Sequence, residues 1–164
     1  MNIDKLLEEL SPEERKATMQ ILQEVSSNGT SQALKDLYYK DYDEIPVDID
    51  TFVTDPYYLG KPLENGKKVY PYWRAEMREI MEDMGRYQQI AITGSIGTGK
   101  STVACIMMTY LLYCTMCLKN PQSYYNLTDG TTIFFAFFNN TIDLTTSVGY
   151  GTVQSFVQNS PWFL

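Results

Sequence analysis

Eight consecutive residues, Gly94-Ser95-Ile96-Gly97-Thr98-Gly99-Lys100-Ser101, fit the spacing G-x-x-x-x-G-K-[ST] at every fixed position. That pattern binds polyphosphate. A loop that wraps phosphates must turn its backbone N–H groups inward, and glycines at 94, 97 and 99 permit the positive φ and close backbone approach this needs. A helix starting at Lys100 would add unpaired N–H groups and the positive end of its dipole. Lys100 supplies a point charge for the β- and γ-phosphates and is the one candidate catalytic side chain. Ser101 supplies a hydroxyl ligand for Mg²⁺. Gly94, Ser95, Ile96, Gly97, Thr98, Gly99, Lys100 and Ser101 therefore form the expected nucleotide cradle, with ATP and Mg²⁺ as its ligands.

Upstream, Tyr70, Tyr72 and Trp73 precede the loop by 21 to 24 residues. An adenine base needs an apolar slot, and stacking rings provide one. Tyr72 is the candidate for that slot, balanced against simple packing; Trp73 falls on an apolar helix stripe and reads as packing.

Other chemistries are excluded or weak. The chain has no histidine, which removes Ser-His-Asp and Cys-His catalysis and histidine-based zinc sites. Cys114-x-x-Cys117 is a lone pair, better read as buried small apolar residues than as a metal or redox site. Six carboxylates between Asp41 and Asp55 lack the ordered loop spacing of a calcium site. Hydrolysis usually needs an apolar strand closing in aspartate and often glutamate. The best candidate, Ile133 to Phe138, ends instead in Asn139-Asn140. The chain thus shows a binding half-site without its hydrolytic half.

The elements that must position the cradle follow from periodicity. Gln89–Thr93 reads as a buried strand feeding the loop, and Lys100 to about Leu118 as the helix leaving it. The 18 uncharged residues from Ser101 to Leu118 reach the lower limit of a membrane span, but four Ser and Thr interrupt them, and a helix wedged between sheet and helices explains the same run. Pro71 opens a helix to Met84 with Trp73, Met77, Ile80, Met81 and Met84 on one stripe. Thr131–Phe138 reads as a second strand, apolar on both faces, and 141–158 as a polar helix. Near the start, Ser11-Pro12-Glu13-Glu14 places a capping box before a helix to Val25, and a shorter helix is predicted over 31–39. The expected fold is α/β, a P-loop NTPase with a parallel sheet flanked by helices, incomplete, behind an N-terminal helical segment. The domain reading is 1–44 helical segment, 45–69 acidic entry segment, and 70–164 the front part of a P-loop ATPase domain.

Charge supports an incomplete domain. Residues 1–93 hold 18 acids and 11 bases, giving the whole chain's net of −7, while 94–164 hold only Lys100, Lys119, Asp129 and Asp143. Such a charge-poor segment cannot supply its own solvated surface, so the chain reads as the front of a longer protein. The acidic balance argues against strong phosphate-backbone binding by this chain alone. The three cysteines, clustered and odd in number, suggest a reducing compartment, and the N-terminus carries no secretory signal.

Several strings resemble the large subunit of tailed-phage terminases: Ile45-Pro46-Val47-Asp48-Ile49-Asp50-Thr51-Phe52 through Tyr58-Leu59-Gly60, then Tyr70-Pro71-Tyr72-Trp73, the loop 94–101, and Asn159-Ser160-Pro161-Trp162-Phe163. The resemblance covers roughly residues 45–164. It implies the ATP-binding part of a viral DNA-packaging motor, in which ATP hydrolysis drives double-stranded DNA into a capsid and a C-terminal nuclease cuts the concatemer. It implies as partners viral double-stranded DNA, the portal protein, the small terminase subunit and further copies in a ring. The implied location is the host cytoplasm at the procapsid portal, with no membrane. Positions 95, 96 and 98 do not carry the arginine that the family often places beside the loop. Another P-loop ATPase, such as a helicase or viral replication ATPase, and a non-hydrolysing nucleotide-binding module are the alternative readings.

Overall fold

The computed structural model describes residues 11–28, 39–82, 87, 89–138 and 145–164. The chain divides into two compact units, Met1–Asp43 and Glu44–Leu164.

In the first unit, α1 spans Pro12–Asn28. Its start is the predicted capping box: the Ser11 N–H donates to Glu14 Oε2 at 2.9 Å, and the Glu14 N–H donates to Ser11 Oγ at 3.3 Å. The helix runs three residues past Val25. The predicted helix over 31–39 lies outside the described residues except at its end.

The second unit begins with the acidic entry segment, which is folded and packed. Asp48 caps a short helix, α2 (Ile49–Thr54), by accepting from the Thr51 N–H at 2.9 Å. Ile49, Phe52 and Val53 are buried, and so are Leu59 and Leu63 in the turns that follow. The 64–67 turn expected from sequence is present, with Glu64, Asn65 and Gly66 all at positive φ. Then α3 runs Pro71–Glu82, burying Met77 and Met81 of the predicted stripe; Met84 and Gly85 lie outside the described residues. Asp50 ties α2 to α3, receiving Arg74 Nη2 at 2.9 Å and the Arg78 guanidinium on its other oxygen.

The central element is α4, Lys100–Met116, which touches α2, α3 and the C-terminal helices. Its buried residues, from Val103 to Thr115, face all round the axis, which is why the sequence lacks an amphipathic stripe. Its threonines are accommodated by bonding back one turn: Thr109 Oγ1 donates to the Cys105 carbonyl and Thr115 Oγ1 to the Leu111 carbonyl, both at 2.7 Å. Among the described residues no helix is long and apolar enough to cross a membrane. The core centres on Tyr113, whose ring lies 4.9 Å from Phe52, 5.4 Å from Tyr58 and 4.6 Å from Trp162.

Past α4, a short α5 (Pro121–Tyr124) is capped by Asn120, which accepts from the Ser123 N–H at 2.9 Å. The predicted helix over 141–158 is instead a π-helical turn, Thr145–Tyr150, leading into α6, Gly151–Asn159; residues 141–144 lie outside the described set. At Gly149 a side chain would press on the Phe137 ring, at 2.8 Å from its Cδ1. A 3-10 turn over Pro161–Phe163 ends the chain, with the Trp162 N–H donating to the Tyr57 carbonyl at 3.0 Å.

The expected parallel sheet is not seen among the described residues. Among the described residues neither Gln89–Thr93 nor Thr131–Phe138 forms a strand ladder. The second segment keeps strand-like alternation: Ile133, Phe135 and Phe137 are half-buried, while Phe134 is 82% and Phe138 94% exposed. A strand is defined by its backbone partners, and two isolated segments fall short of the three that an independently stable sheet needs. Apolar pattern therefore survives here without pairing.

Candidate functional site

The phosphate loop joins the 89–93 segment to α4. Gly94, Gly97 and Gly99 all have positive φ, at +144°, +83° and +81°. The pattern's glycines are thus spent on backbone geometry closed to most side chains. Gly99 is the N-cap of α4, in the left-handed region (φ 81°, ψ 10°). The loop points its isoleucine, Ile96, fully into solvent.

Lys100 folds back over the loop. Its Nζ donates to the carbonyl oxygens of Gly94 at 2.8 Å and Ser95 at 2.5 Å, and to Thr98 Oγ1 at 3.4 Å. Thr98 Oγ1 itself donates to the Ser95 carbonyl at 2.9 Å. The ammonium is thus held by neutral acceptors alone, weaker partners than an anion would be. At Gly94 an added Cβ would meet only ordinary contacts, 3.6 Å from Thr98 Oγ1 and 3.8 Å from Lys100 Cδ, so its φ of +144° is what favours glycine there. Ser101 is exposed in the first turn of α4, where its hydroxyl can reach a cation.

Beside the loop lies a cleft of about 400 Å³. Tyr70, Tyr72 and Trp73 line one side, and residues 93–95, 97 and 98 the other. The structure thus brings Tyr72, the sequence candidate for a base slot, together with Gly94, Ser95, Gly97 and Thr98. Tyr72 is largely exposed and meets Trp73 edge-on at 5.2 Å.

Sequence reasoning read Trp73 as packing alone. In the structure its indole Nε1–H donates to the Thr98 carbonyl at 2.6 Å, a direct tie between α3 and the loop. The 25-residue separation carries no local signal for that bond. The only hint is that Trp73 sits in the first turn of α3, close to Tyr70 and Tyr72.

The cysteines play no part in the site. Cys105, Cys114 and Cys117 are free and buried. Burial pushes the Cys114 thiol up to about 12 and the Cys117 thiol up to about 11, so both stay protonated and poorly nucleophilic. Among the described residues no three Cys, Asp or Glu side chains gather as a metal cluster. Asn139-Asn140, the end of the second predicted strand, lie outside the described residues.

No curated protein and no solved structure matches the chain. A family model does, and it supports a P-loop domain rather than terminase identity. That model, described as "Uncharacterized protein MJ0330, N-terminal P-loop domain", matches residues 12–164, and the chain belongs to this family of P-loop domains.

Proposed function

We propose that the chain binds a nucleoside triphosphate with Mg²⁺ through residues 94–101 and serves as the nucleotide-binding part of an ATPase. One observation carries this reading: three glycines at positive φ lead directly into α4, with the Lys100 ammonium folded over the turn they form. The loop's N–H groups and the N-terminus of α4 would hold the phosphate oxygens, and Lys100 would exchange its carbonyl partners for the β- and γ-phosphates. Ser101 would be a protein ligand for Mg²⁺, which when bound offsets charge on the phosphates. Tyr72 offers an apolar face for the base.

Calorimetry of MgATP binding to the chain and to Lys100→Ala tests this. Losing a charge-assisted contact of about 2–3 kcal/mol weakens binding roughly a hundredfold. Equal affinity in the two proteins would refute the phosphate-loop assignment.

The finer reading is a viral DNA-packaging motor. It draws on the strings that resemble terminase large subunits. Two of them, 45–60 and 159–163, converge on one core: Val47 lies against Tyr110 and Tyr113 of α4, and Trp162 packs on Tyr113 and bonds to Tyr57. On this reading the chain works in a ring, on double-stranded DNA, with the portal protein and the small subunit, in the host cytoplasm at the procapsid portal. The chain by itself turns ATP over negligibly and, at a net charge of −7, binds DNA weakly with a shallow salt dependence. Brisk turnover or a steep salt slope in the purified chain would contradict it and favour a helicase-like ATPase. Tight MgATP binding that no DNA or procapsid ever converts to turnover would favour a non-hydrolysing module.

A further inference from the structure

We propose that Trp73 is a positioning residue for the phosphate loop, acting through Thr98 on the peptide that presents the Gly99 N–H to bound phosphate. The proposal rests on the nucleotide reading above. An indole offers a single donor and no acceptor, and that donor is spent on the Thr98 carbonyl at 2.6 Å. The Thr98–Gly99 peptide is planar and trans, so its N–H points opposite to its carbonyl. With the carbonyl drawn toward Trp73, the Gly99 N–H is turned away from the indole.

A half-turn of this peptide would reverse that. It would place a carbonyl oxygen where a phosphate oxygen must come, an acceptor against a polyanion. Gly99 makes such a rotation easy, because without a Cβ it tolerates several backbone conformations. The glycine that the turn needs therefore leaves the peptide under-determined, and the indole supplies the missing constraint.

Both ends of the tie are anchored. Thr98 is also fixed by its hydroxyl, which donates to the Ser95 carbonyl at 2.9 Å. Trp73 stands in the first turn of α3, one residue before Arg74, which grips Asp50 of α2 at 2.9 Å. Its ring is set edge-on against Tyr72.

Affinities of the full chain for MgATP and for inorganic tripolyphosphate, measured for the native protein and Trp73→Phe, separate this role from base stacking. Phenylalanine keeps an apolar ring and removes the donor. Loop positioning predicts that both ligands weaken by a similar factor, about five- to tenfold for one hydrogen bond. Loss confined to MgATP, with tripolyphosphate unchanged, would make Trp73 a base-stacking residue and overturn the proposal; so would no loss with either ligand. Should Trp73→Phe fold poorly, the unaltered chain still decides: tripolyphosphate must shift the Trp73 indole N–H resonance, and a stationary resonance overturns the proposal. A native chain that binds no tripolyphosphate at all would instead overturn the nucleotide site itself.

Discussion

The backbone of Val47 is clamped by α4: its N–H donates to the Tyr113 hydroxyl at 2.9 Å, and its carbonyl accepts from the Tyr110 hydroxyl at 2.8 Å. Two tyrosines one turn apart on a buried helix thus satisfy both polar groups of an irregular segment. Burial raises the Tyr113 hydroxyl far above its ordinary value, so it stays a neutral hydrogen-bonding group at every practical pH.

Tyr113→Phe keeps the ring stack with Phe52 and leaves the Val47 N–H without its acceptor. The expected loss is about 1–3 kcal/mol of stability, from an unmade hydrogen bond. Urea unfolding measures it, and nucleotide affinity stays unchanged because the clamp lies away from the loop. A variant as stable as the native chain would show that the bond contributes nothing.

Asp50 links acid stability to the α2–α3 contact. The hydrogen bond from Arg78, and behind it that from Arg74, hold its carboxyl below the usual range. A depressed folded value means the contribution is complete above the unfolded value of about 3.9 and fades as pH falls through the folded one. The melting temperature of the native chain therefore drops below about pH 4, and Asp50→Asn, which cannot ionise, shows a shallower drop from a lower starting point. Parallel pH profiles for the two proteins would remove Asp50 as a source of the acid sensitivity.

Gly99→Ala isolates the backbone requirement of the loop. A Cβ there would meet only ordinary contacts, 3.8 Å from Tyr70 and 3.9 Å from Trp73 Nε1. The penalty comes from φ +81° and amounts to about 1–2 kcal/mol. Chemical denaturation should show that loss together with weaker MgATP binding. A fully stable variant with native affinity would mean the loop relaxes freely to another conformation.

The three thiols should be inert in the folded chain. Cys105, Cys114 and Cys117 are buried, and burial raises each one's pKa. A disulfide reagent at neutral pH should label them only as fast as the chain opens, and at once in denaturant. Rapid stoichiometric labelling of the native protein would show that α4 is not the closed centre of the unit.

Local chemistry in the sequence determined the capping box at Ser11 and Glu14, the first turn of α3 at Pro71, the positive-φ glycines at 94, 97 and 99, and the helix that leaves the loop at Lys100. In each case the cause lies within a few residues of the effect, so spacing alone reveals it. Tertiary structure alone decided the rest. Asp50, in sequence only one of six carboxylates without calcium-loop spacing, became a double arginine anchor, and its partners Arg74 and Arg78 lie 24 and 28 residues away. Thr131–Phe138 kept its alternation without a ladder, since pairing depends on a neighbouring backbone that no run of side chains specifies. Trp73 turned from a packing residue into the donor on Thr98 for the same reason: a hydrogen bond across 25 residues exists only once α3 and the loop have been brought side by side.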